Sequence, residues 1–315
     1  MEKLRIVFMG TPEFAVGILD TIIKNNYEVV CVITAVDKPA GRGQKLKYSA
    51  VKEYALEHNL KLLQPSNLKD ETFLAELQSL NANLQVVVAF RMLPEVVWRM
   101  PKLGTFNLHA SLLPNYRGAA PINWAIINGE TKTGVTTFFI DDKIDTGAMI
   151  LSKEIGISAD ENAGELHDRL MELGSDVVVE SLALIEKGNA STTIQVDHSE
   201  IKTAYKLNRD NCKVDWSKSA NDIHNLIRGL SPYPSAWCFF KDNGEEWNVK
   251  LYESRVISEP HHFTIGQIIT TKKDIKVAVK NGFIQILSLQ LPGKKKMQAQ
   301  ELLNGVAFSE RAQAE

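Results

Sequence analysis

The sequence places an amide and an imidazole two residues apart in an apolar stretch. Asn107 and His109 belong to FNLHA, and residues two apart in an extended strand point to the same face. A loop containing Pro114 and Gly118 follows at once, so the pair lies at the carboxyl end of the strand, where open α/β sheets bind ligands. A carboxylate, Asp145, comes after one further helix and one strand. We expect that helix and a right-handed crossover to return the chain beside the first strand.

An amide, an imidazole and a carboxylate suit acyl transfer to an external amine. The amine is then the nucleophile, and the protein must stabilise a tetrahedral oxyanion and manage a proton. Asn107 can donate its NH₂ and a protonated His109 can donate a charged hydrogen bond, while Asp145 orients the imidazole and relays the proton. Each residue alone also fits a structural role, as a strand-end amide, a core histidine or a turn cap. Spacing alone leaves both interpretations open.

Strands and helices alternate through the first part of the chain. This alternation predicts an α/β fold with a Rossmann-like, mostly parallel sheet wrapped by helices, over residues 1–189. Residues 190–206 have no sustained period and are interpreted as a linker. Residues 207–315 hold one helical segment and many short strands, which predicts a smaller β-rich, OB-like barrel domain.

The turn after the first strand argues against a dinucleotide-binding enzyme. The sequence MGTPEF lacks the G-x-G-x-x-G spacing, since Gly10 is followed by Thr11, Pro12 and Glu13. Pro12 removes an amide N–H that a pyrophosphate needs, and Glu13 repels it. A nicotinamide-dependent dehydrogenase is therefore disfavoured.

The composition is that of an ordinary globular protein, with 44% hydrophobic and 23% charged residues. No apolar run approaches the about 18 residues of a membrane span, and the opening MEKLRIVFMG has no signal or transit pattern. The three cysteines, Cys31, Cys212 and Cys238, lack metal-ligand spacing. We expect a cytoplasmic protein with no structural metal and no membrane association.

Charge is divided unevenly along the chain. Residues 1–205 carry 20 Lys and Arg against 26 Asp and Glu, whereas residues 206–315 carry 16 against 12. Seven lysines fall between Lys272 and Lys296, with only Asp274 opposing them. Such asymmetry marks either a polyanion-binding module or a solvated lysine-rich face, and charge alone does not distinguish them.

Three stretches together resemble the folate-dependent formyltransferases, in particular those that act on methionyl-tRNA. They are FMGTPEFAV, NLHASLLPNYRGAAPINWAIINGETKTGVTTFFIDDKIDTGAMI and IHNLIRGLSPYPSAW, and the similarity runs nearly the full length. The resemblance implies transfer of the formyl group of 10-formyltetrahydrofolate to the α-amine of methionine on initiator tRNA, for translation initiation. It implies that Asn107, His109 and Asp145 are catalytic. A cytoplasmic monomer without metal is the expected form.

The resemblance also implies binding residues. The folate-contacting S-L-L-P loop falls on Ser111, Leu112, Leu113 and Pro114. In the family, a basic loop reaches the tRNA acceptor end, and the matching loop of this chain holds Lys45 and also Arg42, which stands between two glycines. The alternative interpretation is a mobile, solvated loop that binds no partner. Together with the lysines between Lys272 and Lys296, which we call the C-terminal lysine cluster, this loop gives the chain two positive regions that are expected to bind one polyanion. The predicted tRNA contacts of that cluster are Lys294, Lys295 and Lys296.

One stretch departs from the family pattern, and other activities stay open. Where family members often have V-A-Y-G, this chain has Ala89, Phe90, Arg91 and Met92, which bears on the shape of the folate pocket. One alternative keeps the catalytic domain but changes the reaction, to a purine-precursor or nucleotide-sugar formyltransferase or a formyl-folate hydrolase. Another is a catalytically silent RNA- or folate-binding protein. The basic regions argue against the first, and the retained Asn107, His109 and Asp145 against the second.

Overall fold

The computed structural model describes residues 3–40, 45–197 and 199–315, and the first part of the chain alternates strands and helices. None of the helices in these ranges is long and apolar enough to cross a membrane. In chain order the elements of this part are β1 (Arg5–Gly10), α1 (Glu13–Lys24), β2 (Glu28–Ile33), β3 (Lys38–Ala40), β4 (Lys45–Lys47), α2 (Ala50–Glu57), β5 (Leu62–Leu63), α3 (Glu71–Ser79), β6 (Leu84–Val88), α4 (Glu95–Trp98), β7 (Thr105–His109), β8 (Arg117–Gly118), α5 (Pro121–Ile127), β9 (Lys132–Phe139), β10 (Met149–Gly156), α6 (Ala163–Glu186) and β11 (Thr203–Ala204).

The rest of the chain is dominated by strands. Its elements are α7 (Ala220–Gly229), β12 (Ala236–Asp242), β13 (Glu245–Ile257), β14 (Ile268–Thr270), β15 (Ile275–Val279), β16 (Gly282–Gln290), β17 (Met297–Gln298), α8 (Ala299–Leu303) and β18 (Gln313–Ala314).

The first large sheet has seven strands in the order β10-β9-β7-β6-β1-β2-β5. Strands β5, β2, β1, β6 and β7 run parallel, which confirms the predicted Rossmann-like, mostly parallel sheet. Strand β9 does lie beside β7, as expected, but it runs antiparallel. The expected right-handed crossover is therefore wrong, because such a connection joins parallel strands, whereas β9 pairs with β7 in the antiparallel direction.

Apolar burial on both faces explains why the central strands form. The β1 side chains from Ile6 to Met9 are fully buried, as befits a parallel strand covered on both sides. Helix α1 begins after Pro12, with Glu13 in its first turn, and it buries Phe14, Ile18 and other apolar residues against the sheet. A Cβ on Gly10 would lie 2.6 Å from the Cβ of Ala15, so this glycine permits close packing of α1 on β1.

The chain divides into two compact units that interleave along the sequence. The first unit comprises Met1–Gly118, Thr133–Ile155 and His167–Thr203, and the second Ala119–Lys132, Gly156–Leu166 and Ala204–Glu315. The domain boundaries predicted at 189 and 207 remain a proposal.

The second large sheet curls into a barrel. Its strands follow the order β14-β15-β16-β13-β12-β18, with β17 added to β16, and the pairs are antiparallel. Its two ends meet where the Ile268 N–H donates to the Ala312 carbonyl at 2.9 Å and the Ala314 N–H donates to the Gly266 carbonyl at 2.7 Å. The nearly closed sheet confirms the predicted β-rich barrel domain.

Candidate active site

The candidate catalytic residues lie at the carboxyl edge of the parallel strands. The chain moves from β1 to β2 on one side and later to β6 on the other, so the strand order reverses at β1. Ligands of open α/β sheets bind beside such a switch point. Strand β7, next to β6, ends at His109, and its two-residue period places Asn107 and His109 on one face.

The imidazole of His109 is held by a backbone carbonyl. Its Nε2 lies 2.8 Å from the carbonyl oxygen of Tyr116, and the side chain is only 8% exposed. A carbonyl can only accept, so Nε2–H is the donor and the neutral ring carries its proton there. The other nitrogen, Nδ1, faces Asp145 Oδ2 at 3.8 Å. Nδ1 is therefore the nitrogen that can take up or release a proton.

Asp145 approaches the ring from the turn between β9 and β10. Its backbone has φ 55, a left-handed conformation that is unusual for a residue with a side chain. Its Oδ2 accepts the Gly118 N–H at 2.9 Å, and its side chain is 13% exposed. A Cβ at Gly147, two residues on, would lie 1.6 Å from the carbonyl oxygen of Phe139, so the turn requires glycine there. The structure thus brings the carboxylate to the imidazole, and their catalytic role stays a prediction.

The amide of Asn107 has an unused hydrogen-bonding atom. Its Oδ1 is buried and has no hydrogen-bond partner among the described residues. Buried polar atoms almost always have a partner, and leaving one unsatisfied costs about 1–3 kcal/mol. A half-turn of the amide presents Nδ2 at the same place as a donor. Asn107 therefore keeps hydrogen-bonding capacity for a ligand beside His109.

The four residues predicted to bind folate divide into two pairs. Ser111 is fully buried, and its carbonyl oxygen accepts from Thr136 Oγ1 at 2.8 Å. Leu113 is also buried, and its N–H donates to the same Thr136 oxygen at 3.3 Å. Leu112 and Pro114 are half-buried. Ser111 and Leu113 hold the loop, and Leu112 and Pro114 have surface to offer a ligand.

Arg91, in the stretch expected to depart from the family pattern, is hydrogen-bonded to a neighbouring loop. Its guanidinium donates to the carbonyl oxygens of Pro65, through Nη2, and of Ser66, through Nη1 at 3.0 Å. Both carbonyls belong to the chain that follows β5. Arg91 therefore links the segment after β6 to the segment after β5. In the sheet, β6 lies beside β1, and β5 lies on the other side of β1, beyond β2.

Two residues beside Asp145 were not among the site residues predicted from the sequence. Gln195 falls in the stretch interpreted as a linker, and Arg117 falls in the loop after β7. The structure joins them by hydrogen bonds of 2.8 and 3.1 Å across 78 residues of sequence. The sequence held no signal of this contact, because Gln195 stands in a stretch without period.

The described part of the chain contains no group of three or more His, Cys, Asp or Glu side chains that could hold a metal ion. The two imidazole nitrogens of His109 face a backbone carbonyl and a carboxylate.

The predicted tRNA-binding loop is only partly described. Arg42 lies outside the described residues, and of Lys45 only the backbone is described. That backbone belongs to β4, which pairs with β3 in an antiparallel hairpin. Lys38 and Lys47 are exposed on the hairpin, and Leu46 is 63% exposed. The hairpin therefore presents a basic surface with an apolar side chain in it.

The lysines predicted in the second unit are not equivalent. Lys294, Lys295 and Lys296 are all exposed. Lys296 Nζ lies 3.0 Å from Glu253 Oε1 and 5.0 Å from the centre of the Tyr252 ring. Within the described residues it is the only one of the three with a carboxylate within ion-pair distance, so Lys294 and Lys295 have their charge available.

A second basic group in this unit was missed. Arg209 stacks over the Trp237 ring at 4.1 Å, and Lys213 Nζ lies 5.6 Å from the same ring and 5.5 Å from that of Phe239. The two rings alternate with buried residues along β12 and so share its outer face. We name Arg209, Lys213, Trp237 and Phe239 the β12 strip. The sequence does not predict the β12 strip, because its two cations and its two rings are far apart along the chain and meet only in the folded structure.

Comparisons with known proteins cover almost the whole chain. The model of the family described as formyl transferase matches residues 4–182, and that of the formyl transferase C-terminal domain matches residues 206–307. The chain is 75% identical over 312 residues to the methionyl-tRNA formyltransferase of Flavobacterium johnsoniae, covering 99% of each protein. It is 52% identical to that of Bacteroides thetaiotaomicron, covering 98% of each.

Solved structures share the fold at low identity. The sugar 3N-formyl transferase WlaRD, crystallised with dTDP and 5-N-formyl-THF, has a TM-score of 0.66 at 21% identity, covering 94% of this chain and 100% of that one. At this identity the likeness concerns the fold.

Proposed function

Because the chain belongs to the formyl transferase family, we propose that it transfers the formyl group of 10-formyltetrahydrofolate to the α-amine of methionine on initiator methionyl-tRNA. The observation that carries the proposal is the cluster of Asn107, His109 and Asp145, with Nδ1 of the imidazole 3.8 Å from the carboxylate. The high identity to methionyl-tRNA formyltransferases supports this acceptor over a small one.

The chemistry needs one bond to form and one to break. The methionine nitrogen attacks the formyl carbon, and the bond from that carbon to the folate nitrogen then breaks. The Asn107 NH₂ and the protonated Nδ1 of His109 donate to the developing oxyanion. Asp145 stabilises the charged imidazole, receives the proton that the amine loses and passes this proton to the departing folate nitrogen.

The backbone holds this arrangement before substrate arrives. The Tyr116 carbonyl fixes the ring through Nε2, and the Gly118 N–H fixes the carboxylate through Oδ2. Groups that are already oriented need no reorganisation in the transition state, which is the main source of such catalysis. The apolar surfaces of Leu112 and Pro114 are assigned to the folate donor.

The acceptor is assigned to the basic surfaces. The hairpin of β3 and β4 presents Lys38 and Lys47, and in the family resemblance its loop carries Arg42, the candidate residue for selecting initiator tRNA. The second unit presents Lys294, Lys295 and the β12 strip, where cations and aromatic rings can meet phosphates and bases. The proposed enzyme acts as a cytoplasmic monomer.

The test is formylation by the purified protein with 10-formyltetrahydrofolate as donor. We expect formyl transfer to initiator methionyl-tRNA, much slower transfer to elongator methionyl-tRNA, and none to free amino sugars or nucleotide sugars. The apparent affinity for tRNA should fall steeply as salt rises. Transfer to a small acceptor at a comparable kcat/KM, or release of formate without transfer, would overturn the proposal. An Asp145→Asn variant that binds both substrates but keeps only a small, measurable residual turnover separates a catalyst from a silent binding protein.

A further inference from the structure

Gln195 is docked against the catalytic unit although its stretch has the composition of a linker. Just before it, Thr193 pairs with Met149 through two backbone hydrogen bonds of 2.8 and 2.9 Å, which fixes the chain beside β10. Gln195 itself is 9% exposed. Its side chain is therefore directed into the unit at the turn that carries Asp145.

All four hydrogen-bonding positions of the Gln195 amide are used. Nε2 donates to the carbonyl oxygens of Asp145 and Gly147, each at 2.9 Å. Oε1 accepts from Arg117 Nε at 3.1 Å and Nη2 at 2.8 Å. Arginine can only donate and a carbonyl can only accept, so the orientation of the amide is fixed. Arg117 is held in turn by Asp197, 2.8 Å from its Nη1.

These bonds act on the conformation that aims the Asp145 carboxylate. Asp145 has a positive φ, a conformation that is unfavourable for a residue with a side chain. One NH₂ group that binds the carbonyls on both sides of Thr146 clamps this turn. The carboxylate is then in place for its two contacts, the Gly118 N–H at 2.9 Å and the His109 ring at 3.8 Å.

Three consecutive residues serve the same pair of groups. The Tyr116 carbonyl holds the His109 ring, the Arg117 side chain orients Gln195, and the Gly118 N–H binds the Asp145 carboxylate. A shift of this segment would move the imidazole and the carboxylate together.

We infer that Gln195, oriented by Arg117, is a positioning residue that sets the Asp145 carboxylate against the His109 imidazole without touching substrate. The inference rests on the proposed function. The carbonyl clamp requires an amide, because a carboxylate at this position has no hydrogen to donate to the two carbonyls.

The sharpest variant is Gln195→Glu, which keeps the size of the side chain and its bonds from Arg117 but repels both carbonyls. Misplacing a catalytic group by about 1 Å can cost up to about 100-fold in rate. We expect kcat to fall about 10- to 100-fold, with the KM values for folate and tRNA within about twofold of the parent. Gln195→Met, with neither charge nor NH₂, should lose a similar factor.

The matched control is Asn83→Asp, at the opposite end of β6. Asn83 is also a buried amide clamp, with Oδ1 accepting the Arg5 N–H at 2.8 Å and Nδ2 donating to the Lys3 carbonyl at 2.9 Å. Its conversion to an acid should reduce the urea midpoint of unfolding but leave kcat unchanged. If both variants lose stability and kcat in parallel, Gln195 has only a structural role.

A double-mutant cycle identifies the residue through which Gln195 acts. In an Asp145→Asn background, Gln195→Glu should lower kcat by less than about twofold, because the group that it positions is already gone. An additive loss overturns the inference.

Imidazole ¹⁵N NMR tests the same point without turnover. The His109 Nδ1 resonance should shift in Gln195→Glu and stay unchanged in Asn83→Asp. An unmoved Nδ1 resonance overturns the positioning role whether or not the parent formylates tRNA. A parent without transfer activity overturns the proposed function alone.

Discussion

The turns around His109 and the lysine-bearing surface of the barrel unit use polar side chains in opposite ways. Around His109 the polar side chains are buried or partly buried and are held by specific hydrogen-bond partners, whereas Asn107 Oδ1 has none among the described residues. On the barrel, Lys294 and Lys295 project into solvent, where one cation can replace another. The first region requires particular atoms at particular places, whereas the second requires positive charge.

This difference separates rate from affinity. Oriented donors at a developing charge act in the transition state, so their loss lowers kcat. Solvated cations bind phosphates by neutralising charge and releasing counterions. Their removal therefore raises the KM for tRNA, and the size of this increase depends on the salt concentration. Single substitutions should therefore have large effects in the first region and small, additive ones in the second.

The largest effect is expected for His109→Ala. The variant loses the charged oxyanion donor and leaves the Asp145 carboxylate without its imidazole partner, so kcat should fall about 10³-fold or more, with folate and tRNA binding retained. Steady-state formylation and equilibrium binding measure the two quantities. The control is His167→Ala, since His167 also lies beside a carboxylate, with Nδ1 2.9 Å from Asp168 Oδ1. A His109→Ala enzyme with parental turnover would remove this residue from the mechanism.

Asn107→Ala should lower kcat by about 100-fold through loss of one oxyanion donor. Because Asn107 Oδ1 has no partner among the described residues, the free energy of unfolding should not decrease. Asn83→Ala should decrease the free energy of unfolding and leave kcat unchanged, because it removes two hydrogen bonds to the backbone far from the site. Urea unfolding beside formylation kinetics measures both. Loss of stability without loss of kcat in Asn107→Ala would assign it a structural role.

A smaller effect is expected on the barrel surface. Reversing Lys294 and Lys295 to Glu should raise the KM for tRNA about tenfold at low salt, flatten the salt slope by about one unit per lost phosphate contact, and leave kcat and folate binding alone. The control, Lys69→Glu with Lys187→Glu, makes the same change in net charge at exposed positions of the first unit. Equal effects in both pairs would show that net charge, and not this surface, governs tRNA affinity.

The smallest effect is expected at a buried polar side chain of the barrel unit. It tests whether the effect of a substitution depends on the burial of the side chain or on the unit to which the residue belongs. His224 lies in the barrel unit, 12% exposed, with Nε2 3.5 Å from Asp160 and Nδ1 3.0 Å from Ser254 Oγ. Burial, aided by the charge of Arg228, lowers the pKa of His224 from its ordinary value against the opposing effect of Asp160. The unfolded chain therefore takes up a proton first as pH falls below the ordinary value of about 6.5, and stability present above that pH is lost.

We expect the urea midpoint to decrease between pH 7.5 and 5.5, and His224→Gln to weaken that dependence. His262→Gln, at an exposed position of the same unit, should not. An identical pH dependence in the parent and in His224→Gln would contradict the assignment.

The sequence predicts those features that depend on local pattern. The two-residue period of a strand is enough to place Asn107 and His109 on one face, and the apolar run of β1 is enough to make it a buried strand. The turn sequence DTG suggests an inward carboxylate at Asp145. In each case, the determining residues lie within a few positions of one another.

The features that the sequence does not predict depend on distant partners. Gln195 reaches Arg117 across 78 residues and Lys296 reaches Glu253 across 43, so neither contact leaves a periodic trace. The antiparallel direction of β9 is defined by its pairing with β7, which the residues of β9 alone do not reveal. The β12 strip likewise needs the chain before the strand to fold back over Trp237.

The seam of the barrel has a consequence for the order of events during synthesis. The sheet closes only when Ala312 and Ala314 bind Ile268 and Gly266, and Glu315 exchanges backbone hydrogen bonds with Phe239 in both directions. These residues are translated after every strand they join. The parallel strands of the first unit can therefore pair on the ribosome, and the Asp145 turn can be clamped once Gln195 has emerged, whereas the barrel must keep two open edges until its last residues are made.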